Sequence, residues 1–236
     1  MSPPADAPLT IIIPGSFHQP AHYLPFVSLL RSYGYEVLCP QLPTSSPAPS
    51  HLDDKRRIFD LLLPYLDAGR QAVVVAHSYG DMPATEAVEG QSVEERRVRG
   101  LKGGVKAVVY LAGVPVFKKG ETKLLVNDNT AEVFYHNIEP EARNEAASLL
   151  CSASIMPFKV PVVFTMQKVT VPKTYIVCTH DRAIPPEVQR FVAREGGGCK
   201  VVEVDSGHSP FLNEAAREVI VRVVVEAHAS SGKGPA

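Results

Sequence analysis

Short runs of uninterrupted aliphatic residues alternate with longer stretches whose apolar positions recur every three or four residues. Six of these runs read as strands: 9 to 13, 36 to 39, 72 to 76, 106 to 111, 174 to 178 and 200 to 204. Between the first two, Tyr23, Phe26, Val27 and Leu30 keep the spacing of one helix face, and Gly34 is placed to end that helix. Between the second and third, the stretch from Leu52 to Leu66 is apolar at Ile58, Phe59, Leu62 and Leu63, with Pro64 expected to bend its last turns. Such alternation implies an α/β fold, a mostly parallel sheet of about six strands with helices on both faces. The rhythm breaks once, between Pro115 and Val171, where a polar turn, Lys118 to Thr122, precedes one convincing helix, Pro140 to Leu150, and irregular apolar stretches. Loops this long without a role are uncommon in compact domains, although a plain surface crossover is the competing reading. The small, polar tail from Ala229 to Ala236 is expected to be disordered.

Composition narrows the picture. At 236 residues and 45% hydrophobic, the chain suits a single domain spanning residues 1–236, with the 115–171 stretch as an insertion. A formal net charge of −1 without long basic blocks gives no reason to expect nucleic acid or an anionic membrane surface as partner. There is no basic-then-apolar leader and no apolar run of membrane-spanning length, so the expectation is a cytoplasmic protein acting on a small, weakly charged substrate. Cys39, Cys151, Cys178 and Cys199 show no close pairing and read as reduced thiols. The sequence leaves open whether the chain works alone or as a homodimer.

Chemistry enters at Ala72-Val-Val-Val-Ala-His-Ser-Tyr-Gly-Asp81, where a buried-type strand ends in small-x-Ser-x-Gly and runs straight into helix-compatible sequence. Small residues two before and two after Ser78 permit the sharp turn that lifts a serine hydroxyl out of a sheet. A hydroxyl is a weak nucleophile until a base takes its proton and a third group orients that base. In folds using this turn the order is serine, acid, histidine, each after a strand. Here the strand 174 to 178 delivers Asp181, and the strand 200 to 204 delivers His208 in Asp205-Ser-Gly-His-Ser-Pro210. Ser78, Asp181 and His208 are therefore the expected catalytic set. His180 competes on residue type alone, and His77 should point inward as a structural residue. His18 and His22 imitate a metal pair, but Pro20 interrupts them and no third ligand follows, so neither a metal nor any other cofactor is expected.

The stretches Ile11-Ile-Ile-Pro-Gly-Ser-Phe-His18, Leu66-Asp-Ala-Gly-Arg70, Val75-Ala-His-Ser-Tyr-Gly80, Cys178-Thr-His-Asp-Arg-Ala-Ile-Pro185 and Ser206-Gly-His-Ser-Pro-Phe-Leu212 carry a resemblance. The chain resembles small alpha/beta-hydrolases of the branch holding plant methylesterases, hydroxynitrile lyases and many microbial and fungal esterase-like proteins. That resemblance runs from residue 9 to about 228. It implies backbone oxyanion donors at Ser16 and Tyr79 and a small cap built from the 115–171 insertion. The first strand begins too early for the two antiparallel strands that open the full-length fold, so about six strands are expected rather than eight. One departure stands out: relatives usually carry glycine three places after the serine, where this chain has Asp81, followed by Met82 and Pro83. Pro83 should cost a backbone hydrogen bond or shift the helix start, and Asp81 could disturb the triad if it turned towards Ser78.

The function expected is that of a cofactor-independent serine esterase, cleaving a carboxylic ester, lactone or thioester of a small hydrophobic substrate. Phe17, His18, Phe134 and Met156 are the expected substrate contacts, with Phe117, Leu124, Leu125, Tyr135 and Phe158 adding apolar wall and His136 a weaker candidate. The alternative is a lyase or cyclase of natural-product metabolism using the same site for proton transfer. Cyanohydrin cleavage in the resembling branch relies on a threonine and a lysine where this chain has Gly15 and Ser209, so that chemistry is not expected. A hydrolase-like binding protein without catalysis is disfavoured by the complete set of three residues.

Overall fold

The structure, a computed structural model, describes residues 7–114 and 129–230. Its sheet has six strands, β1 (Leu9–Ile13), β2 (Glu36–Leu38), β3 (Gln71–His77), β4 (Gly104–Leu111), β5 (Lys173–Cys178) and β6 (Cys199–Val204). All neighbours are parallel, in the order β2-β1-β3-β4-β5-β6. Successive side chains of a strand point to opposite faces, and both faces of the central strands β1, β3, β4 and β5 are covered, whereas the edge strand β6 is largely exposed. Ile11, Ile13, Val74 and Ala76 pack under α2 (His51–Asp67), α3 (Asp81–Ala87) and α7 (Pro186–Glu195). Ile12, Val73 and Val75 pack under α1 (Leu24–Ser32) and α8 (Glu214–Ala229). Two buried faces are why the strands read as continuous aliphatic runs rather than alternating ones. Each such side chain withdrawn from water is worth about 1.5–3 kcal/mol, so these two layers hold the sheet together.

Helix boundaries follow local chemistry. Gly34, at φ +88°, ends the α1 segment. Ser50 caps α2 in a reciprocal box with Asp53, and α2 continues through Pro64 to Asp67 instead of stopping there. The α-helical pattern after β3 starts only at Asp81, behind a 3-10 turn at Ser78–Gly80. Pro83 thus falls in the first turn, where a helix has no internal partner for an N–H. α4 (Val93–Val98) precedes β4.

The insertion holds one helix more than expected. Besides α6 (Pro140–Ser148) there is α5 (Thr130–Tyr135), too short for its periodicity to register yet carrying Phe134 and Tyr135. Both pack with Phe17, Ile138 and Ala146. Hydrogen bonds from the Ser154 amide to the Thr44 carbonyl and from the Val163 amide to Glu86 pin its later part to the core. Phe117, Leu124 and Leu125 lie outside the described residues, as does most of the tail; α8 runs to Ala229.

The topology creates a crevice. The chain leaves β1 towards the α1 face and leaves neighbouring β3 towards the α3 face, so the loops after these two strands part at their carboxyl ends.

Candidate active site

Ser78 sits at that parting. Its φ of +52° is left-handed, a conformation costly for a side chain other than glycine. Close packing holds it there: a Cβ added to Gly80 would stand 2.6 Å from the Ile13 carbonyl oxygen and 2.7 Å from that of Pro14, so only glycine lets the turn nest on the end of β1. The other left-handed non-glycine residues among those described are Phe17 and Ala112, also just beyond strand ends.

The structure brings the three expected residues into one line. His208 Nδ1 donates to Asp181 Oδ2 at 2.7 Å, which leaves Nε2 to accept from the Ser78 hydroxyl at 2.9 Å. All three are buried. Asp181 is held from every side: Oδ1 accepts from the amides of Ala183 (2.7 Å) and Ile184 (2.9 Å), and Oδ2 also accepts from Gln189 Nε2 (2.9 Å). Gln189 is fully buried on α7 and bonds the Cys178 amide and the Ile184 carbonyl as well. It is a functional neighbour that sequence reasoning missed, because a glutamine on an amphipathic helix reads as solvent-facing. His180 points elsewhere, pairing at 2.8 Å with Asp205 in the open.

The loop after β1 closes against the serine. A Cβ on Gly15 would meet His77 Nδ1 at 2.8 Å and Ser78 Cβ at 3.0 Å, so the Gly15 backbone, one residue before Ser16, packs directly on the serine. His18 turns this loop back on itself, its amide donating to the Gly15 carbonyl and its Nδ1 bonding the Ser16 carbonyl at 2.8 Å. None of these bonds uses the Ser16 amide. Tyr79 occupies the turn leading into α3. Ser16 thus follows a glycine packed on Ser78, and Tyr79 follows Ser78 in the chain.

Of the expected wall, Phe134 stacks on the His208 ring with centroids 5.1 Å apart, and its ring is 6.1 Å from Phe17 and 5.3 Å from His18. Met156 lies half-buried on a 3-10 turn, Met156–Phe158, in which Phe158 is the residue whose ring stands 6.2 Å from Tyr79. His136 abuts Gly207, next to His208. His18 and His22 do sit close, 4.8 Å between rings, but His22 bonds Gln19 and the Ala146 carbonyl, and burial lowers the pKa of both imidazoles. No group of three or more potential metal ligands occurs among the described residues. No described helix is long and apolar enough to cross a membrane.

The sequence profile of the alpha/beta hydrolase family matches residues 11–223. The chain belongs to the alpha/beta hydrolase family. It is 28% identical to the alpha/beta hydrolase nvfD of Aspergillus novofumigatus, over 92% of this chain and 95% of that one. In three dimensions it is similar to a methylesterase from Arabidopsis, with a TM-score of 0.73 at 18% identity, covering 94% of this chain and 99% of that one. A pyrethroid hydrolase from Sphingobium faniae superposes with a TM-score of 0.68 at 20% identity, covering 95% and 98% respectively.

Asp81, the residue that stands out from the expected pattern, does not turn its carboxyl to Ser78. It points at Gly113 beyond β4, where an added Cβ would collide with it. Both its oxygens are buried without a hydrogen-bond partner among the described residues, and burial raises its pKa well above the ordinary value. The sign follows from linkage. The unfolded chain ionises this carboxyl near pH 3.9 while the folded one holds its proton, so above that pH stability falls by about 1.4 kcal/mol per unit until the folded pKa is passed. Asp81→Asn, which cannot ionise, should therefore gain stability on the parent as pH rises from about 4 towards neutrality in denaturant titrations. A difference that stays constant across this range would contradict the assignment.

Proposed function

We propose that this protein is a serine hydrolase that cleaves a carboxylic ester, lactone or thioester of a small hydrophobic substrate through an acyl-enzyme. The observation that carries the reading is the continuous donor–acceptor line Ser78–His208–Asp181 at 2.9 and 2.7 Å, buried beneath Phe134. Ser78 Oγ attacks the acyl carbon as its proton passes to His208 Nε2, and Asp181 holds the resulting imidazolium in place. The negative charge that develops on the carbonyl oxygen falls between the Ser16 and Tyr79 amides, fixed dipoles that need no rearrangement to receive it. His208 then gives its proton to the departing alkoxide or thiolate. Water repeats the sequence in reverse, its proton going to His208 and its oxygen to the acyl carbon, which frees Ser78 and the acid. No step calls on a cofactor.

The substrate class rests on the wall. Phe134 faces the base, and Phe17 and His18 pack on Phe134 in turn, an aromatic environment that favours apolar acyl or alcohol groups. The likeness to proteins named as a methylesterase and a pyrethroid hydrolase supports an ester. Wild-type protein should release acid from aryl esters, and Phe134→Ala should change relative kcat/KM between short and bulky esters by about 10-fold or more. Met156→Ala should shift the ranking as well. Absence of acid release from esters, lactones and thioesters alike would refute the function. An unchanged ranking in Phe134→Ala would make the aromatic wall scaffold only.

A further inference from the structure

Behind the triad runs a second line of hydrogen bonds that the chemistry above does not use. The Gly15 amide donates to the Tyr23 hydroxyl at 2.9 Å, the Tyr23 hydroxyl lies 2.8 Å from His77 Nδ1, and His77 Nε2 lies 2.9 Å from the main-chain carbonyl of His208. Proton positions along it are forced. An amide can only donate, so Tyr23 accepts from Gly15 and has its own proton left for His77 Nδ1. A carbonyl can only accept, so His77 Nε2 must carry the proton that reaches His208. Only one tautomer of a neutral imidazole fits, and the chain of donors runs one way from the loop after β1 to the loop after β6. Tyr23 and His77 are fully buried, and Phe211 seals them, stacked on Tyr23 at 4.3 Å and edge-on to His77 at 5.0 Å.

We propose that Tyr23 and His77 form a positioning clamp that fixes the oxyanion loop at Gly15–Ser16 and the backbone of the base His208 relative to each other. The proposal rests on the serine-hydrolase reading for its catalytic consequence, though not for the clamp itself. The geometry explains why one clamp can serve both. His77 immediately precedes Ser78, so the nucleophile, its base and the oxyanion donor are referred to a single imidazole. Gly15 must be glycine because its Cα side faces that same ring. The His208 side chain is oriented by Asp181, but its carbonyl, and with it the height of the imidazole over Ser78, is oriented by His77. Burial keeps the His77 imidazole neutral, as the chain of donors demands, by lowering its pKa well below the usual histidine value. A purely structural role would hold the fold without coupling these two loops.

The test uses Tyr23→Phe, which keeps the ring and its stacking and removes only the hydroxyl, together with His77→Gln and the double variant. In histidine side-chain nitrogen NMR of the wild-type protein, His77 should appear as the neutral Nε2–H tautomer with Nδ1 accepting, and Tyr23→Phe should shift both the His77 and the His208 signals. In steady-state kinetics on an aryl ester, Tyr23→Phe should lower kcat about 10- to 100-fold with KM nearly unchanged, since small misplacements of reacting groups have effects of that size. A trifluoromethyl ketone, which forms the tetrahedral oxyanion, should lose affinity by a similar factor, and the double variant should be no worse than His77→Gln alone. Additive losses, or a variant whose melting temperature falls while kcat and ketone affinity stay the same, would overturn the clamp. A His77 in the Nδ1–H tautomer would overturn it as well. If the wild-type protein turned over no ester, the serine-hydrolase reading would fail while the NMR result still decided the clamp.

Discussion

Ser78→Ala and His208→Ala are each expected to lower kcat by a factor on the order of 10⁶, and the double variant is expected to be hardly worse than either. The proton that leaves Ser78 has one place to go, His208 Nε2 at 2.9 Å, and without Ser78 there is no acyl-enzyme for a His208-activated water to attack. Removing the hydroxyl idles the base, and removing the base leaves a hydroxyl with its proton still attached. What remains in either case is the rate supplied by binding and by the oxyanion amides. Ser78→Ala adds no backbone strain beyond what serine already bears at φ +52°, so its fold should persist. Single-turnover rates on an aryl ester measure the effect. Losses that multiply in the double variant would mean that the two side chains act separately.

Asp181→Asn should cost about 10⁴-fold in kcat, through the wrong histidine tautomer rather than through loss of structure. Four N–H groups converge on this carboxyl, two on each oxygen. An asparagine has a single oxygen to offer, and the paired amides of Ala183 and Ile184 would take it. Its NH₂ would then face His208 Nδ1 and Gln189, which forces His208 to carry its proton on Nε2, where it can no longer accept from Ser78. KM should change little. A mild effect, under about 10-fold, would show that Asp181 supports the loop and not the imidazole.

The sheet was legible because burial on both faces writes strands as unbroken aliphatic runs: 72 to 76 was read where β3 spans Gln71–His77, and 9 to 13 where β1 spans Leu9–Ile13. The hydrogen-bonded line Ser78–His208–Asp181 was legible because each member follows a strand end, a local signal. What escaped depends on partners distant in the chain. Gln189 is understood only through Asp181, and the link from Tyr23 to His77 spans 54 positions. α5 escaped because six residues hold less than two helical turns. Asp81 was visible as a departure, but only the backbone of Gly113 shows that its carboxyl turns away from Ser78.

The central claim is that Ser78 is a base-activated nucleophile, and covalent labelling with a fluorophosphonate tests it most directly. Intact-mass measurement should show one phosphonyl group on the wild-type protein, located on Ser78 by peptide mapping, and none on Ser78→Ala. An unlabelled wild-type protein, or a Ser78→Ala variant labelled to the same extent, would contradict it.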